Sequence, residues 1–221
     1  MANNEKNVEK KSENTLVKDT IALTIITLIA GILLGGVYTM TKEPIEVQNE
    51  KIKAEAYAAV YEGAEFVADD AINDKLAAYN EELAAGKITK AGETLSDVVI
   101  SEIMKAQVDG ADAGYVATCS GKGYGGSVEL ALGIDAEGNI LGIQITSANS
   151  ETPGLGQNAT NAEWNSQFIG MNTSQEVAVV KDGTGSTENG SVDSISGATI
   201  TSSAVSRAVN GTLSFVASLS E

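Results

Sequence analysis

One threonine stands where this chain is best suited to carry a covalent group. In Asp193-Ser194-Ile195-Ser196-Gly197-Ala198-Thr199 its hydroxyl ends a run of small residues, just ahead of an amphipathic helical pattern. Small side chains let a bulky ligand or another protein approach the backbone closely. A helix N-terminus adds unpaired N–H groups and the positive end of a dipole, which favour phosphate. A phosphate linked to Thr199 suits that position. The plain alternative is that Ser196, Thr199 or Thr201 is only a helix cap.

Two further segments have the composition of ligand loops. Gly121-Lys122-Gly123-Tyr124-Gly125-Gly126 is rich enough in glycine to cradle a phosphate. It lacks the spacing of a P-loop or a dinucleotide fingerprint, so it reads as a glycine-rich turn between strands. In Glu151-Thr152-Pro153-Gly154-Leu155-Gly156 the proline and glycines set a tight loop. Its backbone can approach a flat ring, and Leu155 offers apolar contact.

Other chemistry is excluded by what the chain does not contain. It has no histidine, which removes histidine bases, histidine metal sites and histidine-dependent triads. Its single cysteine, Cys119, allows neither an intrachain disulfide nor a cysteine-bound iron–sulfur cluster of its own. Cys119 lies in a strand-like run and is expected to be a small buried apolar residue. With no histidine or cysteine nearby to activate it, the hydroxyl of Thr199 is a poor nucleophile. Any attachment there needs another enzyme.

The heptapeptide ending at Thr199 resembles the flavinylation signal of proteins whose FMN is esterified through its phosphate to the last threonine of Ser-Gly-Ala-Thr. The continuation Ile200-Thr201-Ser202-Ser203-Ala204-Val205 and the two glycine-containing segments resemble the same family, in the same order. The chain is similar, from about Thr20 to about Leu219, to the G subunits of Rnf electron-transport complexes. It is similar, less closely, to the C subunits of sodium-pumping NADH:quinone reductases. The resemblance implies covalent FMN on Thr199, with Ser196, Gly197, Ala198, Glu151, Thr152, Leu155 and Gly156 around the flavin and Tyr124 as a further candidate contact. It implies a separate FAD-dependent flavin transferase that releases AMP, with Asp193 serving recognition by that enzyme or organising its metal-bound donor; the plain alternative for Asp193 is a turn-stabilising aspartate. It also implies partners among the other Rnf subunits and an electron-relay role, with no catalytic residue and no metal site in this chain. The rival readings are the quinone reductase subunit and a flavin-free, membrane-anchored extracellular sensor.

These residues must be positioned by a chain of 221 residues, long enough for one membrane segment and one ordinary core. The uncharged run from Ile21 to Tyr38 spans roughly 27 Å as a helix, at about 1.5 Å per residue. It reads as a retained anchor rather than a cleaved signal, because its apolar region is long and no small-x-small site follows before Lys42. Lys10, Lys11 and Lys18 precede it and Lys42 follows, which places the N-terminus in the cytoplasm. Gly31 and Gly35 form a small-xxx-small face suited to packing against another membrane helix. Four lysines and four acidic residues cancel over 1–20, so the formal charge of −16 lies beyond the span. So acidic a domain repels nucleic acid, and no nucleic-acid partner is expected.

The expected architecture is α+β: a cytoplasmic tail at 1–20, a transmembrane helix at 21–40, a helical membrane-proximal segment at 41–90 and an extracytoplasmic FMN-binding domain at 91–221. Glu43-Pro44 is expected to break the first helix. A helix should follow from Ile45 to Tyr61, with Ile52, Ala56, Ala59 and Val60 on one stripe. Another should run from Asp69 to Ala85. Val128, Leu130, Leu132 and Ile134 alternate with smaller or polar residues, as do Leu141, Ile143 and Ile145 across an Asp135–Asn139 turn. That pattern predicts an antiparallel hairpin with one buried face. Strands are expected near Tyr115–Thr118 and Glu176–Val180, a short helix at Ala162–Phe168 and a closing helix from Thr201 to Leu219.

Overall fold

A computed structural model describes residues 2–219, with side chains described from residue 17 onward. The lysines at 10 and 11 that orient the expected tail lie outside the residues described with side chains. The chain divides into two compact units, 1–50 and 51–221.

The first unit lies within α1 (Ala2–Val60), and the helix continues through Pro44 instead of breaking there. A proline removes one backbone donor and crowds the carbonyl four residues earlier. From Val17 onward this helix is long and apolar enough to cross a membrane, by length and composition. Its aliphatic side chains are exposed, including Ile25, Leu28, Ile32 and Leu34.

The second unit is an α+β domain built on one antiparallel sheet. Its strands are β1 (Glu65–Val67), β4 (Val99–Val108), β5 (Ala111–Lys122), β6 (Ser127–Asp135) and β7 (Ile140–Ser147), in the order β1-β4-β5-β6-β7. The predicted hairpin pairs Leu132 with Ile143, and Asp135 closes its turn by accepting from Asn139 N at 2.7 Å. β1 and β4 were not foreseen. A register shift between Ile100 and Glu102 puts Ile100 and Ile103 on one face, three residues apart, so strict alternation is lost.

Both faces of the sheet are covered, not one. On one side Ile103, Cys119, Leu130 and Leu132 pack against α4 (Thr199–Leu219) and α2 (Asp70–Ala84). Asp69 caps α2 by accepting from Ala71 N at 2.9 Å. On the other side Ala106, Val116 and Ala131 meet Ala56, Tyr57 and Val60 from the last turns of α1. Of the predicted α1 stripe, Ala56 and Val60 are buried while Ile52 and Ala59 are exposed; Tyr57 and Tyr61 complete the buried set. The closing helix is buried on more than one face, since Thr201, Ser202, Ser206, Asn210 and Thr212 are buried as well as its apolar residues.

The remaining pieces frame the start of α4. β2 (Thr89–Lys90) and β3 (Glu93–Thr94) make a small hairpin. The expected short helix is α3 (Ala162–Asn165), followed by a 3-10 turn at Ser166–Phe168. The strand expected near 176–180 is β8 (Ala178–Val180), which pairs in parallel with β9 (Ser191–Asp193) outside the main sheet.

Candidate functional site

The turn ahead of α4 is built so that Thr199 opens the helix. Ala198 N donates to Ile195 O at 2.9 Å, closing a four-residue turn in which Gly197 has a φ of 73°. That left-handed conformation at the third position favours glycine. The Ser202 hydroxyl accepts from Ile195 N at 3.0 Å and donates to Ala198 O at 3.1 Å, bracing the turn from inside the helix. Ala198, directly before Thr199, offers no capping oxygen, so its side chain does not occupy the donors of the first turn. Thr199 is half-buried, and its Oγ1 lies 3.1 Å from Ser194 Oγ.

A pocket of about 500 Å³ opens at this helix start. Gly197, Ala198 and Thr199 line it from the turn, and Glu151, Thr152, Leu155 and Gly156 line it from the proline–glycine loop. Seven of the expected positions are thus brought together from two segments more than forty residues apart. Two are not. Ser196 is exposed and lies outside the lining, and Asp193 sits behind the turn. Asp193 is held structurally: its backbone carbonyl accepts from Trp164 Nε1 at 2.7 Å, and Gln167 Oε1 takes its N–H at 2.7 Å. Its carboxylate accepts from Gly185 N at 3.1 Å.

Among the described residues, Glu151 is the one charged residue lining the pocket, and it is 2% exposed. Its Oε1 accepts from Gly125 N at 2.8 Å and Gly126 N at 3.3 Å, while its Oε2 accepts from the Thr201 hydroxyl at 2.5 Å. The carboxylate therefore ties the glycine-rich turn, the proline–glycine loop and the first turn of α4 together. A side chain at Gly156 would collide with both Glu151 Oε2 and Thr201 Oγ1. The glycine-rich segment is a turn between β5 and β6, as expected, closed by Gly123 N donating to Gly126 O at 2.7 Å.

Tyr124 of the glycine-rich turn also lines the pocket, and two lining residues, Ile200 and Thr201, were missing from the expected set. Tyr124, Leu155 and Ile200 are exposed large side chains at the pocket. Thr201 is 1% exposed. The available signal for Thr201 was polarity on the inward side of the helical pattern, which Thr201 and Ser202 share.

Outside the pocket, an ion pair fixes the outer flank of α4. Arg207 donates to Asp97 through Nε at 3.0 Å and Nη2 at 2.8 Å, and to Glu93 at 2.7 Å. Burial pushes the Asp97 carboxyl up, but the Arg207 guanidinium and the Lys122 N–H outweigh it and hold the group below its ordinary value. Cys119 is buried in the core, as expected, and burial pushes its thiol up to about 12 against the opposing bond with Thr212.

Residues 123–214 match the FMN-binding domain family, a span that takes in the whole pocket. The chain is 42% identical over 123 residues to the G subunit of the Na(+)-translocating ferredoxin:NAD(+) oxidoreductase complex of Acetobacterium woodii, covering 54% of this chain and 57% of that protein. It is 29% identical to the G subunit of the proton-translocating ferredoxin:NAD(+) oxidoreductase complex of Clostridium ljungdahlii, covering 90% of each chain. It is 31% identical to the G subunit of the ion-translocating oxidoreductase complex of Haemophilus influenzae, covering 84% of this chain and 82% of that one. Extending over most of both chains, this last similarity makes the protein a member of the family of ion-translocating oxidoreductase complex G subunits.

Proposed function

We propose that this chain is the electron-relay subunit of an ion-translocating, Rnf-type ferredoxin:NAD oxidoreductase, holding FMN through a phosphoester on Thr199. The observation that carries this is the placement of Thr199 at the first position of α4, on the wall of the pocket. The residues present fit the group. The pocket of about 500 Å³ falls within the roughly 300–1,000 Å³ of small-molecule sites. Tyr124, Leu155 and Ile200 give it apolar walls for a flat ring, and the N-terminus of α4 favours a phosphate at Thr199. Bound FMN supplies the redox chemistry, which belongs to the cofactor.

This chain's residues hold and orient. Gly197 and Ala198 keep the approach to Thr199 clear, and Thr152, Leu155 and Gly156 form the facing wall. Ser196, exposed at the tip of the turn, is assigned to the FMN side of the site, and Asp193, anchored behind it, to recognition by an FAD-dependent flavin transferase. The other partners are the remaining subunits of the complex. We place the N-terminus in the cytoplasm, residues 21–40 in the cell membrane as a retained single span, and the FMN-binding domain outside.

Peptide mass spectrometry of protein made with its transferase should find FMN on Thr199. An adduct confined to Thr201, or none despite an active transferase, refutes the assignment. Orientation is tested by single cysteines at Ser12 and Ser186 in a Cys119→Ser background, treated with an impermeant maleimide on intact cells. Labelling at position 186 and protection at position 12 are expected, and the reverse overturns the topology.

A further inference from the structure

Two threonine hydroxyls in the first turn of α4, on Thr199 and Thr201, line the same pocket. Accepting the assignment of FMN to Thr199, the choice between them needs a physical cause. We propose that Glu151 makes that choice, by withholding Thr201.

The two hydroxyls are held in opposite ways. Thr199 is half-buried, and its described side-chain partner is another neutral hydroxyl, that of Ser194 at 3.1 Å. Thr201 is 1% exposed and its hydroxyl donates to the Glu151 carboxylate at 2.5 Å. A bond this short between a hydroxyl and a carboxylate is charge-assisted and strong.

Transfer from FAD joins the threonine oxygen to the FMN-side phosphorus and breaks the bond to the bridging oxygen. AMP leaves, the hydroxyl proton goes to solvent or to a base of the transferase, and nothing is oxidised or reduced. At Thr201 the incoming pyrophosphate would have to come up against the Glu151 carboxylate. Like charges at contact distance in a water-poor site repel strongly. Space is lacking too, because even a methyl group at Gly156 would strike both Glu151 Oε2 and Thr201 Oγ1. The carboxylate is pinned by the N–H groups of Gly125 and Gly126, so it cannot swing aside without breaking the glycine-rich turn. At Thr199 neither obstacle is present.

The test uses the full-length chain with its transferase and FAD, and locates FMN by peptide mass spectrometry. Wild type should carry it on Thr199, and an unmodified wild type removes the Thr199 assignment and this proposal together. Thr199→Ala alone should carry no adduct, and FMN on Thr201 in that variant overturns the role of Glu151. The double variant Thr199→Ala/Glu151→Ala frees Thr201 of charge and crowding. It should show FMN on Thr201 at least about tenfold above Thr199→Ala alone. If thermal unfolding shows that this variant is misfolded, Thr199→Ala/Glu151→Gln decides, since it keeps shape and removes charge. A smaller gain at Thr201 is expected there. No gain in a folded double variant, with wild type modified on Thr199, refutes the proposal and leaves the Thr199 assignment standing.

Discussion

The two faces of the sheet are packed by different means. Toward α4 the sheet presents Ile103, Leu130, Leu132 and Ile134, branched side chains that are almost fully buried. Toward the end of α1 it presents Ala106, Ala131 and the paired glycines Gly133 and Gly142. A Cβ on either glycine would strike the backbone of Val60, so that seam works by close approach. Polar latches differ as well. The α4 side is tied by Arg207 to Asp97, and the α1 side by the Tyr57 hydroxyl, which donates to Glu102 at 2.8 Å and lies 2.8 Å from Thr118 Oγ1. One face is specified by bulk and an arginine–carboxylate pair, the other by the lack of side chains and by the Glu102 carboxylate, which Tyr57 and Lys53 of α1 share. The pocket belongs to the first, because α4 carries Thr199.

Truncation on the α4 face should therefore have the largest effect. Leu132→Ala leaves a void in a fully buried site and should cost roughly 2–5 kcal/mol, measured by denaturant unfolding. It should also loosen the seat of α4. A loss below about 0.5 kcal/mol would mean that this face is not the tightly filled core described.

On the other face the damaging change is an addition. Gly133→Ala pushes a methyl against Val60 O and should cost about 1–3 kcal/mol, while leaving the pocket intact. Equal or higher stability in that variant would show that the end of α1 is free to back away from the sheet.

This contrast also decides what could be read from the sequence. The hairpin, α2 and the closing helix were legible because their apolar residues repeat at a single period. β4 was not, because a bulge puts Ile100 and Ile103 on the same face and hides the alternation. The helix side of the α1 seam was half legible, through Ala56 and Val60, but its sheet side was missed because the glycines and alanines there are too small to mark a buried face. At the site, seven lining positions were legible through motif resemblance. The Glu151 tie was not, since it joins residues 25 to 50 positions apart and each end reads as ordinary loop or helix. Asp193 was read for recognition, and the structure adds its hydrogen bond to the 185 loop.

A smaller effect separates the latches by pH. Asp97 is held below its ordinary value of 3.8 in the folded chain. Its contribution is therefore fully present above that value and is lost as pH falls through the lower folded value. Asp97→Asn should cost about 1 kcal/mol at neutral pH and give a shallower loss of stability on acidification. Tyr57→Phe should cost a similar amount without changing that acid slope, because a phenol does not titrate below neutral pH. Thermal unfolding between pH 7 and pH 2 distinguishes the two. Parallel acid profiles for wild type and Asp97→Asn would remove Asp97 as the acid-sensitive latch.

The smallest structural effect, with the largest functional one, is expected at the start of α4. Thr199→Ala deletes a half-buried hydroxyl whose described partner is Ser194. The lost bond is offset by alanine's better helix propensity, about 0.5 kcal/mol or more over threonine. Stability should thus stay within about 0.5 kcal/mol of wild type, as for substitutions that disturb no packing. Neither seam of the sheet is touched, so the protein should still fold and enter its complex. Covalent flavin should vanish, and ferredoxin-dependent NAD reduction by the purified complex should stop. The complement of subunits, flavin fluorescence on a denaturing gel and turnover need to be measured on one preparation. An intact complex that lacks this flavin and still turns over near the wild-type rate would show that Thr199 carries no essential relay.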